Sequence, residues 1–536
     1  MDPDLIVHAR TVRTMDETVP MAEAFAVTNS RFTDIGTAAE IDDLAGSDTE
    51  ILRFENETIL PGFIDPHCHM SLRGRRDLLQ VDLTPSVVSS IEELIQELRA
   101  EAESTPAGEW ILGYGYDDTK LAENRHPTRW DLDEASTDHP IYIDHAGYHI
   151  AAVNSEALAR AGLDADTPEP EGGHFEREDG KLTGVLHEDA RNPYRSGRDP
   201  NDEGLIPEPT PDEDQAALRD VCGSYNAVGI TSIGDAVVTP SEIRMYRQGV
   251  KRDNLTVRAY LMIWNAYFDQ LNAPNLDTGF GDELVRIGPI KEVVDGAIAS
   301  RTAYLEEPYE GRPEDHGDLR LSQAELDETV MDAHEAGYQL AIHANGDAAI
   351  EMTLDAFENA LDAHPREDHR HRIEHGTVVN DELLDRIQAL GLSVFPFSTY
   401  IYQHGEKMAD YGDRIERMFP YGSCVERDIP VAGSSDNPAG LLDPLLGIRT
   451  MVTRKTKDGE VLGERERVSV EDALRIYTIN GAYASFEEDE KGSITLGKLG
   501  DFIVLSDDPM AVDPDAIHEI DVRRTYLGGE QVYPTD

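Results

Sequence analysis

A chain of 536 residues is too long for one ordinary domain but suits a barrel of roughly 250 to 400 residues with additions. Its 39% hydrophobic content lies below the usual ~45 to 50% yet is too high for a disordered chain, so the deficit belongs to the surface. With 106 acidic against 47 basic residues the net charge is −59, which argues against nucleic acid and anionic membranes as partners.

The acids are spread through apolar-patterned segments such as 321–337 and 469–477, the texture of a halophile's surface, where hydrated carboxylates keep a fold soluble in concentrated salt. Only nine of the basic residues are lysines. Cys68, Cys222 and Cys424 form no CxxC pair and no even set, so neither a disulfide framework nor a zinc knuckle is expected and a reducing interior fits. The first residues lack a basic start and an apolar core, and no run of about 18 apolar residues occurs. A soluble, cytoplasmic protein is the expectation.

In chain order, residues 4–60 read as short strands with polar turns between them. Segments 491–508 and 522–533 share that texture, and strand sets from both ends could pair into one small β-domain. Between them, short apolar runs alternate with amphipathic helices, the pattern of βα units and a parallel sheet. Eight strand candidates can be counted: 58–65, 229–235, 256–264, 285–296, 338–343, 371–375, 392–397 and 429–436. Eight closes a (β/α)8 barrel. Residues 71–228 separate the first two, far beyond a normal crossover, and read as an insertion of the kind that shapes a substrate pocket. Within it, 168–184 looks like a loop or hairpin and 192–214, rich in Pro, Gly and acids, like a surface excursion.

Barrel enzymes gather their chemistry at the C-terminal strand ends. Strand one ends in His67 and His69, which share a face of an extended segment while Cys68 takes the other. Strand five ends in His343, strand six in His375 and strand eight in Asp436. Each has a bland reading: a lone strand-end histidine can be a satisfied polar residue, and Asp436, ahead of Asn437 and Pro438, could merely start a turn. Together they form a nitrogen and oxygen set that suits zinc or another divalent metal. Strand four carries Lys291 in an apolar run, with Val293 and Asp295 on its face. Its ammonium is costly to bury unless it pairs with a neighbour such as Asp295 or is modified or neutralised to serve the metal site.

The blocks GFIDPHCHM, KEVVDGAIASRTA (291–303), LAIHANGDAAI (340–350), RIEHG (372–376), GSSDNP (433–438), DPLLGIRTMVTRK (443–455) and the long stretch 477–509 resemble the amidohydrolase superfamily of metal-dependent hydrolases. More narrowly they resemble the branch that includes N-substituted formamide deformylase. The resemblance covers nearly the whole chain. It implies an α/β fold, a distorted TIM barrel over 61–480 with a β-sandwich from 1–60 and 481–536. It also implies metal ligation by His67, His69, His343, His375 and Asp436. Lys291 would match a strand-four lysine that in many relatives is carboxylated and bridges two metals, so one or two ions, zinc first among the candidates, are expected.

The implied reaction is hydrolysis of a non-peptide C–N bond of a small molecule by metal-activated water, with Asp436 moving the proton and Lys291 and His375 in the catalytic set. The same site could instead attack an ester, lactone or phosphoester, or the barrel could have become a binding protein. His145 and His149 have i, i+4 spacing, but Ala146 occupies the place of the glutamate in HExxH, so no zincin is implied. His149 and Asp295 are candidate substrate contacts. His174 and His187 are weaker ones, and His371 reads as structural. No P-loop, GxGxxG turn or GxSxG elbow stands in a strand-turn-helix context. Similar enzymes are often dimers, and a homodimer is a possible assembly.

Overall fold

In the computed structural model, which describes residues 2–147, 149–170, 172–195, 200 and 204–535, the chain forms two compact units. One comprises Met1–Met70 with Arg219–Asp536, the other Ser71–Leu218.

In the first unit, apolar runs buried on both faces become seven parallel strands in chain order. They are Phe63–Cys68, Ile230–Val238, Arg258–Trp264, Val285–Val293, Leu340–Ala344, Arg372–His375 and Ser393–Phe395. The eighth expected strand, 429–436, is not regular. It contains Pro430, which has no N–H to donate, and it makes only isolated parallel bridges, Val394 to Val431 and Phe397 to Ser434. It nonetheless closes the ring. The Asp436 N–H donates to His67 O at 2.9 Å, and the His69 N–H to Asn437 O at 2.8 Å.

The first expected strand, 58–65, divides at Gly62 into the end of Glu50–Pro61 and the start of Phe63–Cys68. A side chain at Gly62 would meet Thr231 Oγ1 at 2.1 Å, so only glycine lets the chain step from one sheet into the next.

Both chain ends pair into a seven-stranded sheet. Leu5–Arg13, Met21–Thr28, Arg31–Gly36 and Glu50–Pro61 join Phe502–Leu505, Val522–Leu527 and Glu530–Tyr533. Asn29 and Ser30, both at positive φ, make the tight turn between the second and third strands. The edge strand Arg31–Gly36 is tied to the segment before Phe502, the Phe32 N–H donating to Lys498 O at 2.9 Å. That folds the sheet over a core of Val7, Phe25, Phe32, Ile59, Phe502 and Tyr526. Buried Arg258, from the third barrel strand, binds Asp501 through Nε at 2.7 Å and Nη2 at 2.8 Å, joining this sheet to the barrel.

The second unit holds a six-stranded sheet ordered Gly173–Glu178, Lys181–Glu188, Ile150–Val153, Ile141–His145, Ile111–Tyr116 and Val81–Asp82. The region 168–184 contributes a hairpin turned at Asp179 and Gly180, with His174 opposite His187. The excursion expected over 192–214 lies partly outside the described residues. Among the described residues no helix is long and apolar enough to cross a membrane.

Behind the barrel, His371 has a structural place. The Leu340 N–H donates to its Nδ1 at 3.1 Å, so its proton sits on Nε2 and donates to His334 Nδ1 at 2.8 Å. His334 Nε2 then donates to His364 O at 2.7 Å. Burial, and after it the neighbouring His369 and Arg366, push His371 well below the usual histidine range, so it stays neutral. The unfolded chain takes up a proton there below about pH 6.5, and the folded chain does not. This contribution to stability is therefore complete above pH 6.5 and falls by about 1.4 kcal/mol per unit below it. Urea unfolding at constant salt should show this acid-side slope, and His371→Gln should lose that share of it while lowering the midpoint at pH 8. An unchanged slope in the variant contradicts the assignment.

Candidate metal centre

Five side chains expected at strand ends meet at one mouth of the barrel. The His67 and His375 ring centroids are 4.9 Å apart, His343 and His375 4.6 Å, and His67 and His69 5.7 Å. Asp436 Oδ1 lies 3.3 Å from His67 Nε2 and 3.2 Å from His69 Nε2. His375 stacks flat on Phe397 at 4.1 Å, which fixes its ring plane. His375 and Asp436 both hold positive φ, at 72° and 52°, strained values that re-aim side chains at strand ends.

The hydrogen bonds assign the protons. A carbonyl can only accept, so His69 Nδ1, 3.1 Å from Ala236 O, carries the ring's N–H and leaves Nε2 bare. His67 Nδ1 donates to the Glu374 carboxylate, and its Nε2 is the atom turned toward Asp436. Two imidazole nitrogens and a carboxylate oxygen thus converge, all electron-pair donors within 4.8 Å of one another. Without a cation or a proton among them the arrangement is repulsive.

His343 Nε2 has two partners at 3.1 Å, the Gly296 carbonyl, which accepts, and Asn345 Nδ2, which donates. Burial, reinforced by the Lys291 charge, pushes His343 down to about 3, and burial pushes His375 well below the usual range, so both rings are neutral and able to ligate. Buried His375 Nδ1 has no hydrogen-bond partner among the described residues. The donor set fits a divalent ion of the nitrogen- and oxygen-liking kind.

Lys291 is buried on the fourth strand, and its Nζ has no hydrogen-bond partner among the described residues. Desolvation lowers it to about 8. The alternative of an ion pair with Asp295 is not realised. Asp295, expected to contact substrate, lies beyond the end of the strand at Val293, is fully buried and spends its oxygens on the backbone. Oδ1 accepts the Asn345 N–H at 2.9 Å, and Oδ2 accepts those of Gly346 at 2.8 Å and Tyr304 at 2.9 Å. It thereby shapes the turn after His343. His149 lies in the second unit, its Nδ1 2.7 Å from Glu188 Oε1. His145 ends a strand there, so the i, i+4 spacing is not helical. Cys68 is buried and free.

Sequence reasoning passed over three buried charges. Asp65 accepts the Ser435 N–H on Oδ1 at 3.1 Å and the Ser435 hydroxyl on Oδ2 at 2.5 Å, pinning the irregular eighth segment to strand one just before Asp436. Glu374 receives His67, and Arg372 receives Glu374 through Nε at 2.7 Å and Nη2 at 3.0 Å. Their signal in the sequence was the same as that of Lys291: charges inside apolar strand runs, in GFID and RIEH.

Barrel and donor set together define a metal-dependent hydrolase. The chain belongs to the amidohydrolase family, which it matches over residues 54–533. It is 31% identical to N-substituted formamide deformylase of Arthrobacter pascens across 98% of this chain and 97% of that one. It is 29% identical to the putative amidohydrolase YtcJ of Bacillus subtilis (strain 168) across 98% and 99%. The fold superposes on an uncharacterized metal-dependent hydrolase from Pyrococcus horikoshii OT3 with a TM-score of 0.78 at 24% identity, covering 95% of this chain and 99% of that one.

Elemental analysis of the purified chain should find a bound divalent ion that the His67→Ala/His69→Ala variant loses. A folded wild-type chain that takes up neither zinc nor manganese would contradict the donor assignment.

Proposed function

We infer that the protein hydrolyses a non-peptide C–N bond, an amide, formamide or cyclic amide of a small molecule. The convergence of His67 Nε2, His69 Nε2 and Asp436 Oδ1 carries this reading, and the likeness to N-substituted formamide deformylase favours the bond type. His67, His69 and Asp436 would hold one ion, zinc being the first candidate for such donors, and His343 and His375 a second. A divalent ion supplies a Lewis acid and lowers the pKa of water towards ~7.

Lys291 suits the bridging role as a carbamate. Its ammonium, with a pKa lowered to about 8, would first give up one proton; the neutral amine would then add to carbon dioxide, form an N–C bond and release a second proton, so that a buried cation would be replaced by an anion. Asp436 is the proton carrier. Its Oδ1 faces His67 and His69, and its other oxygen takes the proton of the attacking water and returns it to the departing nitrogen as the C–N bond breaks. The surrounding burial of His67, His375 and Phe397 keeps bulk water from competing for that proton.

A panel of formamides, cyclic amides, esters, lactones and phosphoesters, run at low and at molar salt, tests the reading. Turnover is expected on the amide class, and Asp436→Ala should lower it about 10²- to 10⁴-fold while some metal remains bound. Full activity in Asp436→Ala removes its role. Hydrolysis confined to the esters or phosphoesters removes the proposed bond class.

A further inference from the structure

The two histidines of strand one are held differently, and the difference points to a residue that acts through His67. His69 is aligned by the backbone carbonyl of Ala236. His67 is aligned by a side chain, the carboxylate of Glu374 on the sixth strand. Strand alternation puts Arg372 and Glu374 on one face, and both are fully buried. A buried ion pair contributes little net stability compared with apolar residues of the same size, so its presence here calls for a reason other than stability.

The geometry supplies one. Arg372 grips both oxygens of Glu374, sends Nη2 to Pro66 O at 2.8 Å, and lies over the Phe395 ring at 4.0 Å. One guanidinium therefore fixes both the carboxylate that faces His67 and the main chain immediately before His67. Glu374 Oε2 accepts from Arg372 Nη2 and from His67 Nδ1 at once. An ionised carboxylate held this way can only accept, so Glu374 holds a proton on His67 Nδ1 and leaves Nε2 as the atom turned toward Asp436.

We propose that Glu374, clamped by Arg372, is a positioning residue that sets the tautomer of His67 and thereby the metal affinity of the strand-one site. The proposal rests on reading that site as a metal centre. Oriented carboxylate–histidine pairs of this kind change metal affinity by about 10- to 100-fold when the outer partner is removed.

The test uses the full chain labelled with [15N]histidine. In the metal-free wild type His67 should show a proton on Nδ1. In Glu374→Gln the Nε2–H form should appear, and chelator competition should give a zinc Kd raised about 10- to 100-fold. Should the single change leave Arg372 unpaired and the chain unfolded, Arg372→Met/Glu374→Leu replaces the ion pair with apolar volume and should show the same two effects. Circular dichroism reports folding for each variant. A folded variant with the wild-type tautomer and a Kd within twofold of wild type overturns the proposal. A wild-type chain that carries the Nδ1 proton yet binds no metal leaves the clamp standing and overturns the metal reading instead.

Discussion

Three electron-pair donors, His67 Nε2, His69 Nε2 and Asp436 Oδ1, are held together at the mouth of the barrel, and much of the first unit is arranged so that they stay there. A positive charge at the point where they meet would offset their mutual repulsion. The chain aims each with separate bonds to its far side: Glu374 behind His67, Ala236 O behind His69, and the main-chain link from Asp436 N–H to His67 O. A cation binding there would meet a preformed cradle, with little ordering left for the moment of binding.

That cradle sits where the barrel is least regular. The ring closes between strands one and eight through an irregular segment, and Asp65 holds that segment by Ser435. A regular eighth strand would alternate its side chains strictly. The observed path, with Asp436 at positive φ, turns the carboxylate toward the histidines instead. Backbone strain at the site is offset by the packed strands beneath it, as is usual for functional positions on rigid scaffolds.

The interior below the centre is unusually charged. Arg372, Glu374 and Lys291 are buried where most barrels carry branched apolar residues. Arg372 and Glu374 pair with one another and with His67, while Lys291 Nζ and Arg372 Nη1 have no hydrogen-bond partner among the described residues. The ionic link of Arg258 to Asp501 extends this reliance on buried charge to the junction with the terminal sheet.

Much of this was legible in the chain alone, for definite reasons. Parallel strands buried on both faces leave continuous apolar runs, so seven of them could be read directly, and histidines standing at their ends were visible as a set. The eighth was read as a strand because its composition is apolar and small, while its irregularity depends on Asp65, hundreds of residues earlier in the chain. The break at Gly62 depends likewise on Thr231, which no local pattern reveals. The sequence by itself determined which groups could ligate and on which elements they ride, because periodicity and residue chemistry are local properties. Only the tertiary structure decided which nitrogen of His69 carries the proton, that Asp295 serves the backbone, and that Glu374 and Arg372 stand behind His67. Those outcomes are set by hydrogen-bond partners brought together from distant strands.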